Sequence, residues 1–242
     1  MRQFNVLGMP VHIQENYVDW LANRLKENQG AHVVTLNAEM TMQARQNQEL
    51  ANVIHKAELV VPDGSGIVLY LRSRGEDINR CPGIELSEQV VQVAAEQQWR
   101  IFLIGGAPGV VDTVAAKWQQ QWSNITIAGM HHGYFGEENE QQICEQLQSS
   151  CPKLILVGLG VPRQELWIQK YRHLCPSSVW IGVGGSFDIW SGKKIRAPKW
   201  LADNHLEWLY RLYQEPWRWR RMLSLPHFVW CVTRDSLVNQ KR

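Results

Sequence analysis

Short runs of consecutive apolar residues recur through the first 185 residues, and most of them end in glycine or proline. Five such runs are rich in β-branched residues, and they occupy positions 32–36, 58–62, 100–106, 153–160 and 179–185. Uninterrupted apolar runs of this length are typical of strands that are buried on both faces of a parallel sheet. The pattern therefore predicts five strands of this kind.

Longer stretches with apolar residues at helical spacing alternate with these runs. They occupy positions 41–57, 84–98, 109–121, 137–149 and 163–173. Strands that alternate with helices indicate βαβ crossovers, because parallel neighbours need a long connection. We therefore expect an α/β fold, with a Rossmann-like, mostly parallel sheet covered by helices on both faces.

The alternation stops after the glycine pair at 184–185. From Pro198 onward only helical patterns remain, and Pro216 and Pro226 interrupt them. We place a domain boundary near residue 195. Residues 1–195 are predicted to form the Rossmann-like body, and residues 196–242 a helical appendage next to a membrane.

The distribution of charge separates the same two parts. The formal net charge of the 242 residues is +2, but residues 193–242 carry +7 and the first 192 residues carry −5. The basic end is also rich in tryptophan. A mildly acidic body joined to a basic, aromatic end indicates an anionic partner at that end.

The cysteines and the apolar segments indicate a cytoplasmic protein. The five cysteines form no CxxC pair and no zinc-type cluster, so reduced thiols are expected. The first 20 residues lack the apolar core of a secretory signal, and no run approaches the roughly 18 apolar residues of a membrane-spanning helix. Any membrane contact would then be peripheral, at the inner face of the cell membrane.

Glycine-rich turns follow several of the predicted strands. Gly105 and Gly106 follow one strand, and Gly160 follows another. Ligands of open α/β sheets bind beyond the carboxyl ends of the strands, and glycines there allow the backbone to approach a diphosphate. For any single loop, the better interpretation is that the glycine only ends a strand. Several such loops together favour a phosphate-bearing ligand.

Familiar cofactor motifs are missing from the sequence. The turn at 105–109 is GGAPG rather than GxGxxG, and no GxxxxGK[ST] occurs. There is no DxD pair, and the histidines are scattered, so we expect neither a cofactor nor a bound metal. Arginine, lysine and backbone amides would then neutralise the charge of a phosphate leaving group.

Asp63 is the leading candidate for a catalytic base. It directly follows an apolar run, so it should lie at the carboxyl end of a strand, within the flexible turn PDGSG. Residue type alone favours a helix cap or a turn aspartate. Thr35 and Asn37, which end the preceding predicted strand, favour catalysis instead.

Two other polar residues follow predicted strands. Gln164 should lie near the start of a helix, where it would cap that helix or bind a sugar hydroxyl. Asp188 follows the last strand among bulky neighbours, which favours a structural role.

The segment 207–222 combines tryptophans with arginines. On one continuous helix Trp208, Leu212, Trp219 and Leu223 would fall on one face, with Arg211, Arg218 and Arg221 well away from it, although Pro216 disturbs that register. Three interpretations compete: a helix packed on the body, an amphipathic element on a membrane surface, and arginines that reach a bound diphosphate. The last two are compatible, and nucleic acid is a poorer partner because no motif for it appears.

An ordered set of motifs resembles a known family. Eight segments are similar, in order, to the WecG/TagA/CpsF glycosyltransferases of bacteria: TLNAEM, PDGSG, the Cys-Pro-Gly turn with the apolar helix after it (81–86), FLIGGAPGV, HGYF, VGLGVPRQE, GVGGSFDIWSGKKIRAPKW and EWLYRLYQEPWRWRR. The resemblance runs from about residue 5 to residue 225.

The resemblance implies a metal-independent, inverting hexosyltransferase. It implies a UDP-sugar donor carrying N-acetylmannosamine, its uronic acid or a related hexose, and a polyprenyl-diphosphate-linked N-acetylglucosamine acceptor at the cytoplasmic membrane face. It also implies an appendage that completes the site.

The resemblance also implies roles for individual residues. Asp63 matches the family's proposed base, with Thr35 and Asn37 beside it. Arg80 matches a conserved arginine, although this chain has Asn-Arg-Cys-Pro-Gly where the family has Glu-Arg-Val-x-Gly. The residues expected to bind substrate are Arg80, Gly105, Gly106, Gly160, Gln164, Glu165, Arg211, Arg218 and Arg221.

Two other functions remain open at this point. One is a soluble nucleotide-sugar epimerase or hydrolase, and the other is a non-catalytic, nucleotide-binding membrane adaptor. The transferred sugar, the linkage, the pathway and any self-association are not determined by the sequence.

Overall fold

The computed structural model describes residues 1–198, 200–201, 204 and 206–239, without the side chains of 218 and 236–239. The strands are β1 (Arg2–Val6), β2 (Met9–Ile13), β3 (Ala31–Leu36), β4 (Leu59–Pro62), β5 (Arg100–Gly105), β6 (Thr126–His131), β7 (Leu154–Gly158) and β8 (Val179–Gly182). The helices of the first 190 residues are α1 (Tyr17–Lys26), α2 (Ala38–Gln46), α3 (Gln48–Lys56), α4 (Ser65–Ser73), α5 (Gly83–Glu96), α6 (Val110–Gln121), α7 (Glu137–Ser150), α8 (Arg163–Tyr171) and α9 (Ser186–Trp190). Those that follow are α10 (Glu207–Gln214), α11 (Trp219–Met222) and α12 (Ser224–Asn239).

Six strands form one parallel sheet in the order β4-β3-β8-β7-β5-β6. This confirms the α/β, Rossmann-like fold class, and the five predicted strands are β3, β4, β5, β7 and β8. Strand β6 at one edge and the antiparallel hairpin β1–β2 were not predicted. Because all six strands are parallel, their carboxyl ends meet at one edge of the sheet, and β4, β3 and β8 are neighbours there.

Both faces of the sheet are buried under helices. Along β3, Val33 packs into the cluster that includes α1, α5 and α6, whereas Val34 packs into the cluster that includes α2, α3 and α4. Both side chains are completely buried. Alternate residues of one strand thus enter opposite cores, which explains why the strands are apolar throughout.

The predicted helix at 41–57 is two helices. The chain leaves the helical conformation at Asn47, with φ −125° and ψ 99°, and the Asn47 side chain accepts a hydrogen bond from the Leu50 amide at the start of α3. Asparagine favours this capping geometry because its short side chain competes with the helical backbone bonds. Helices α1 and α4 were not predicted.

The helical pattern of residues 207–222 is broken just before Pro216, where the sequence predicted a disturbed register. Helix α10 ends at Gln214, Glu215 has φ −131° and ψ 73°, and a 3₁₀ turn at Pro216–Arg218 leads into α11. Proline disfavours the helical conformation of the residue before it, which places the break at Glu215. Trp208 and Trp219 therefore do not lie on one continuous helical face.

The last helix packs on the body. Phe228 of α12 is 2% exposed and joins the apolar cluster that covers one face of the sheet. The Tyr70 hydroxyl in α4 donates a hydrogen bond to the Asp235 carboxylate of α12 at 2.9 Å. The helices after residue 195 thus share a core with the body. The division into two domains at residue 195 stays a prediction.

Candidate active site

The floor of the site is formed where β3 and β4 end. Thr35 lies at the end of β3, and its hydroxyl donates to the Gly182 carbonyl of β8 at 3.2 Å. Asn37 caps α2, with its side-chain oxygen accepting from the Met40 amide at 3.0 Å. The backbone amide of Asp63 donates to the Leu36 carbonyl at 3.0 Å. These bonds fix the two strand ends against each other, so Thr35, Asn37 and Asp63 are brought together as the sequence predicted.

Two glycines allow this close approach. A Cβ atom at Gly83 would lie 2.6 Å from Thr35 Cγ2, and one at Gly64 would lie 2.8 Å from Asn37 Cβ. Contacts this short are not tolerated, so any larger residue would push the loops apart. The Asp63 loop and the start of α5 can therefore sit directly on the β3 end.

The Asp63 carboxylate is partly exposed at this edge of the sheet rather than enclosed in the core. Its side chain is 22% exposed, and Oδ1 accepts from the Gly83 amide at 3.1 Å and lies 3.7 Å from a guanidinium nitrogen of Arg80. Burial raises the pKa of the Asp63 carboxyl, whereas Arg80, Arg211 and the Gly83 amide act in the opposite direction. The net effect is a raised pKa, which suits a group that must take up a proton.

A carboxylate that sequence analysis missed joins the C-terminal helices to this site. Glu207, the first residue of α10, accepts from Arg80 at 2.7 Å and also pairs with Arg211. Burial alone would raise the pKa of Glu207, but Arg211 and Arg80 lower it below its usual value. Its signal in the sequence is an acidic residue four positions before Arg211 in a basic segment. Arg80 thus contacts both Asp63 and the appendage.

The other appendage arginines occupy different environments. Arg221 is 55% exposed, and its Nε lies 3.8 Å from the Glu39 carboxylate in the first turn of α2. The side chain of Arg218 lies outside the described residues. Of the predicted arginines, Arg80 therefore contacts Asp63, and Arg211 lies near enough to favour the charged form of Asp63. Arg221 lies near the start of α2.

Gln164 and Glu165 belong to a buried chain of hydrogen-bonded polar side chains next to the loop after β8. Gln164 is 1% exposed, its carbonyl oxygen accepts from the Gly184 amide at 3.0 Å, and its amide donates to Glu165 at 2.8 Å. The other oxygen of Glu165 contacts His32 Nε2 at 2.6 Å, with both side chains fully buried. This chain holds the loop after β8, and its hydrogen bonds are made within the protein. Binding of substrate by Gln164 and Glu165 stays a prediction.

The predicted glycine loops lie further along the sheet edge. Gly105 ends β5 and Gly106 follows it, and the Gly106 amide donates to the Gly158 carbonyl of β7 at 3.3 Å. Gly160 follows β7. Four strand spacings separate β4 from β5, or about 19 Å at ~4.8 Å each. A ligand that touches both Asp63 and Gly105 must therefore extend along the sheet edge.

Asp188 has the structural role that was favoured for it. Its carboxylate contacts the Lys194 ammonium at 2.6 Å, and Lys194 also contacts Glu215 at 3.1 Å. This bridge ties α9 to the end of α10. Within the described part of the chain, no group of three or more His, Cys, Asp or Glu side chains could hold a metal ion.

Comparison with known proteins agrees with the motif order. The sequence matches the glycosyl transferase WecG/TagA/CpsF family over residues 4–242. The chain belongs to this glycosyltransferase family. The chain is also similar to the N-acetylglucosaminyldiphosphoundecaprenol N-acetyl-beta-D-mannosaminyltransferases of two bacilli. The Bacillus spizizenii enzyme is 36% identical over 231 residues, covering 95% of this chain and 86% of the relative. The Bacillus subtilis enzyme is 35% identical over 233 residues, covering 96% and 88% respectively.

The family's motifs converge in the structure. TLNAEM supplies Thr35 and Asn37, and PDGSG supplies Asp63. The segment 207–222 supplies Arg211 and also Glu207, whose carboxylate pairs with both Arg80 and Arg211. Motifs that are more than 100 residues apart in sequence thus meet at one edge of the sheet.

Proposed function

We propose that this protein transfers N-acetylmannosamine from a UDP-sugar to the N-acetylglucosamine of a polyprenyl-diphosphate-linked acceptor. The named activity of the two bacillus relatives supports the acceptor and the transferred sugar, because similarity covers nearly the whole chain. The partly exposed Asp63 carboxylate, which lies between Arg80 and the Gly83 amide, is the single observation that carries the proposal.

The proposed reaction is a direct displacement at the anomeric carbon. Asp63 accepts the proton of the acceptor hydroxyl, and that oxygen forms a bond to the anomeric carbon. The bond from this carbon to the UDP oxygen breaks at the same time, and UDP leaves with the electron pair. One displacement inverts the configuration, and general-base assistance of this kind is worth ~10²–10⁴-fold.

The arginines would neutralise the departing diphosphate. Arg80 and Arg211 are already held near Asp63 by Glu207, so they need little reorganisation to meet an anion there. Arg221 approaches from the start of α2. The distance of about 19 Å along the sheet edge supports an extended donor, with Asp63 at the sugar and the loops after β5 and β7 at the nucleotide.

A membrane surface is the proposed location of the acceptor. No helix among the described residues is long and apolar enough to cross a bilayer. The C-terminal segment nevertheless exposes large aromatic side chains next to arginines. The most exposed of them are Trp200 at 63%, Tyr213 at 82%, Trp217 at 71%, Trp219 at 53% and Trp230 at 59%. Tryptophan beside arginine is typical of a surface that rests on anionic lipid headgroups.

A panel of UDP-sugars tests the proposal. Purified protein is incubated with UDP-N-acetylmannosamine, UDP-N-acetylglucosamine or UDP-glucose, each with and without a short-chain lipid-diphosphate N-acetylglucosamine acceptor. We expect disaccharide product only with UDP-N-acetylmannosamine and acceptor. Free sugar or an epimer without acceptor would support a hydrolase or an epimerase. UDP binding and vesicle flotation without any turnover would support the adaptor.

A further inference from the structure

An apolar groove runs between α4 and α12. Its volume is about 220 Å³, and its walls are Gly66, Leu69, Tyr70, Phe228, Val229 and Val232, with Ser73 and Thr233 alongside them. Apart from the glycine, the six wall residues line it mainly with carbon. Leu69 is 48% exposed and Val229 is 59% exposed, so both contact solvent.

One end of the groove adjoins the catalytic loop. Gly66 lies in the first turn of α4, three residues after Asp63. A Cβ atom at Gly66 would lie 3.4 Å from the Phe228 ring and 3.5 Å from Cβ of Ala38, the residue after Asn37. From there to Ser73 the groove follows α4 for about 10 Å, at ~1.5 Å per residue. It therefore leads away from the site where the acceptor hydroxyl must bind.

The chemistry of the groove suits a hydrocarbon chain. A sugar or a nucleotide would need polar partners along its length, because burying unpaired hydroxyls costs free energy. Hydrocarbon gains free energy in proportion to the apolar area it buries, about 25 cal/mol per Å².

Charge complements this apolar surface at the end near Asp63. Arg221 pairs with Glu39 in the first turn of α2, and Ala38 of the same turn lies next to Gly66, where the groove begins. A cation is thus held at the helix turn that adjoins this end of the groove, and the apolar residues of α4 and α12 line the rest of it. An amphiphile with a diphosphate head and an aliphatic chain has the same order of groups.

We propose that this groove binds the first isoprenoid units of the acceptor's polyprenyl chain. The inference rests on the proposed function, because it assumes a lipid diphosphate acceptor. Leu69 and Val229 would then determine how strongly activity depends on the length of the lipid.

The test uses water-soluble acceptors without vesicles. Diphosphate-linked N-acetylglucosamine esters of methanol and of one, two and three isoprenoid units are compared below their aggregation concentrations, and kcat/KM is measured for each. We expect the wild-type value to rise at least roughly tenfold as units enter the groove, since each buried methylene is worth about 0.8 kcal/mol. Leu69→Asp and Val229→Asp should remove most of this rise and leave the rate with the shortest acceptor unchanged.

Trp230→Asp is the matched control. Trp230 is as exposed as its neighbour Val229, on the same helix, but it does not line the groove. It should keep the dependence on chain length, and thermal unfolding followed by circular dichroism verifies that all three variants fold.

Three outcomes would overturn the groove assignment. Both groove variants could keep the full chain-length effect. The effect could appear in the wild type only when vesicles are added, which would assign lipid recognition to the membrane surface. Sedimentation could show that Leu69→Asp abolishes a dimer without changing the chain-length effect, so that a second copy covers the groove. Absence of turnover with every acceptor would instead contradict the proposed function itself.

Discussion

At the scale of single residues, the environment of Asp63 combines two opposing influences. Burial disfavours its charged form, while Arg80, Arg211 and the Gly83 amide favour it. The first influence is larger, so the pKa of the carboxyl is raised. A carboxylate with a raised pKa is a better proton acceptor than a free aspartate, and it is also less favourable for folding at neutral pH.

This balance predicts how activity depends on pH. The acid limb of kcat/KM should lie above the value of ~3.9 that is usual for aspartate, because the proposed base, Asp63, must be ionised to accept a proton. Initial rates at saturating acceptor and limiting donor, measured from pH 4 to pH 8, locate this limb. An acid limb at or below the usual value would contradict the raised pKa.

The same shift predicts an effect on stability. Because the pKa of Asp63 is higher in the folded state than in the unfolded state, protonation of its carboxyl favours folding. This contribution is complete below the unfolded pKa, and it is lost as pH rises through the folded pKa. Asp63→Asn should therefore be at least as stable as the wild type at pH 7, and the difference should disappear near pH 3. Urea unfolding at pH 7 and pH 3 measures the difference in unfolding free energy between the variant and the wild type. If the variant is less stable than the wild type at pH 7, the Asp63 charge is well solvated or fully paired.

At the scale of elements, the junction of β3, β4 and α5 depends on close backbone approach. Gly83 begins α5, donates its amide to Asp63 and leaves no room for a side chain next to Thr35. Gly83→Ala should lower kcat by at least tenfold and cost about 1–3 kcal/mol of stability, because Thr35 or α5 must shift.

Gly136→Ala provides the matched control for that variant. Gly136 precedes α7, has φ −96° and has no atom within 4 Å of an added Cβ. Its rate and its unfolding free energy should stay close to those of the wild type. A normal rate for Gly83→Ala would show that the junction tolerates more movement than the contact distances indicate.

The sequence predicted elements where local pattern decides the structure. Asp63, Thr35 and Asn37 could be assigned to strand ends, because apolar runs identify β3 and β4 directly. Glu207 could not be assigned to the site, since its contact with Arg80 spans 127 positions. The fully buried His32–Glu165 pair was not predicted either. A lone histidine and a distant glutamate in a helical segment show no local pattern that indicates pairing.

At the scale of the whole molecule, the C-terminal helices are attached to the body at both ends. Lys194 bridges Asp188 and Glu215 near the start of the segment, and Phe228 is inserted between α2 and α4 near its end. Glu207 lies between these two attachments and holds Arg80 and Arg211. The position of these arginines near Asp63 therefore depends on how the C-terminal helices pack on the body.

Removal of the Phe228 ring should loosen this attachment. Phe228→Ala is expected to cost about 3–5 kcal/mol in unfolding free energy, because a fully buried ring leaves a cavity. Turnover should fall as well, since α12 supports the segment that carries Arg221. Trp230→Ala, on the exposed side of the same helix, should change stability by no more than about 0.5 kcal/mol. Equal stabilities for the two variants would show that α12 is not part of the body's core.

The role of Asp63 as the base that activates the acceptor hydroxyl is tested most directly by one comparison. Turnover of UDP-N-acetylmannosamine with a lipid-diphosphate N-acetylglucosamine acceptor is measured for the wild type and for Asp63→Asn, together with UDP binding by calorimetry. We predict that the variant binds UDP with wild-type affinity and loses ~10²–10⁴-fold in kcat. Wild-type turnover by Asp63→Asn would contradict the account.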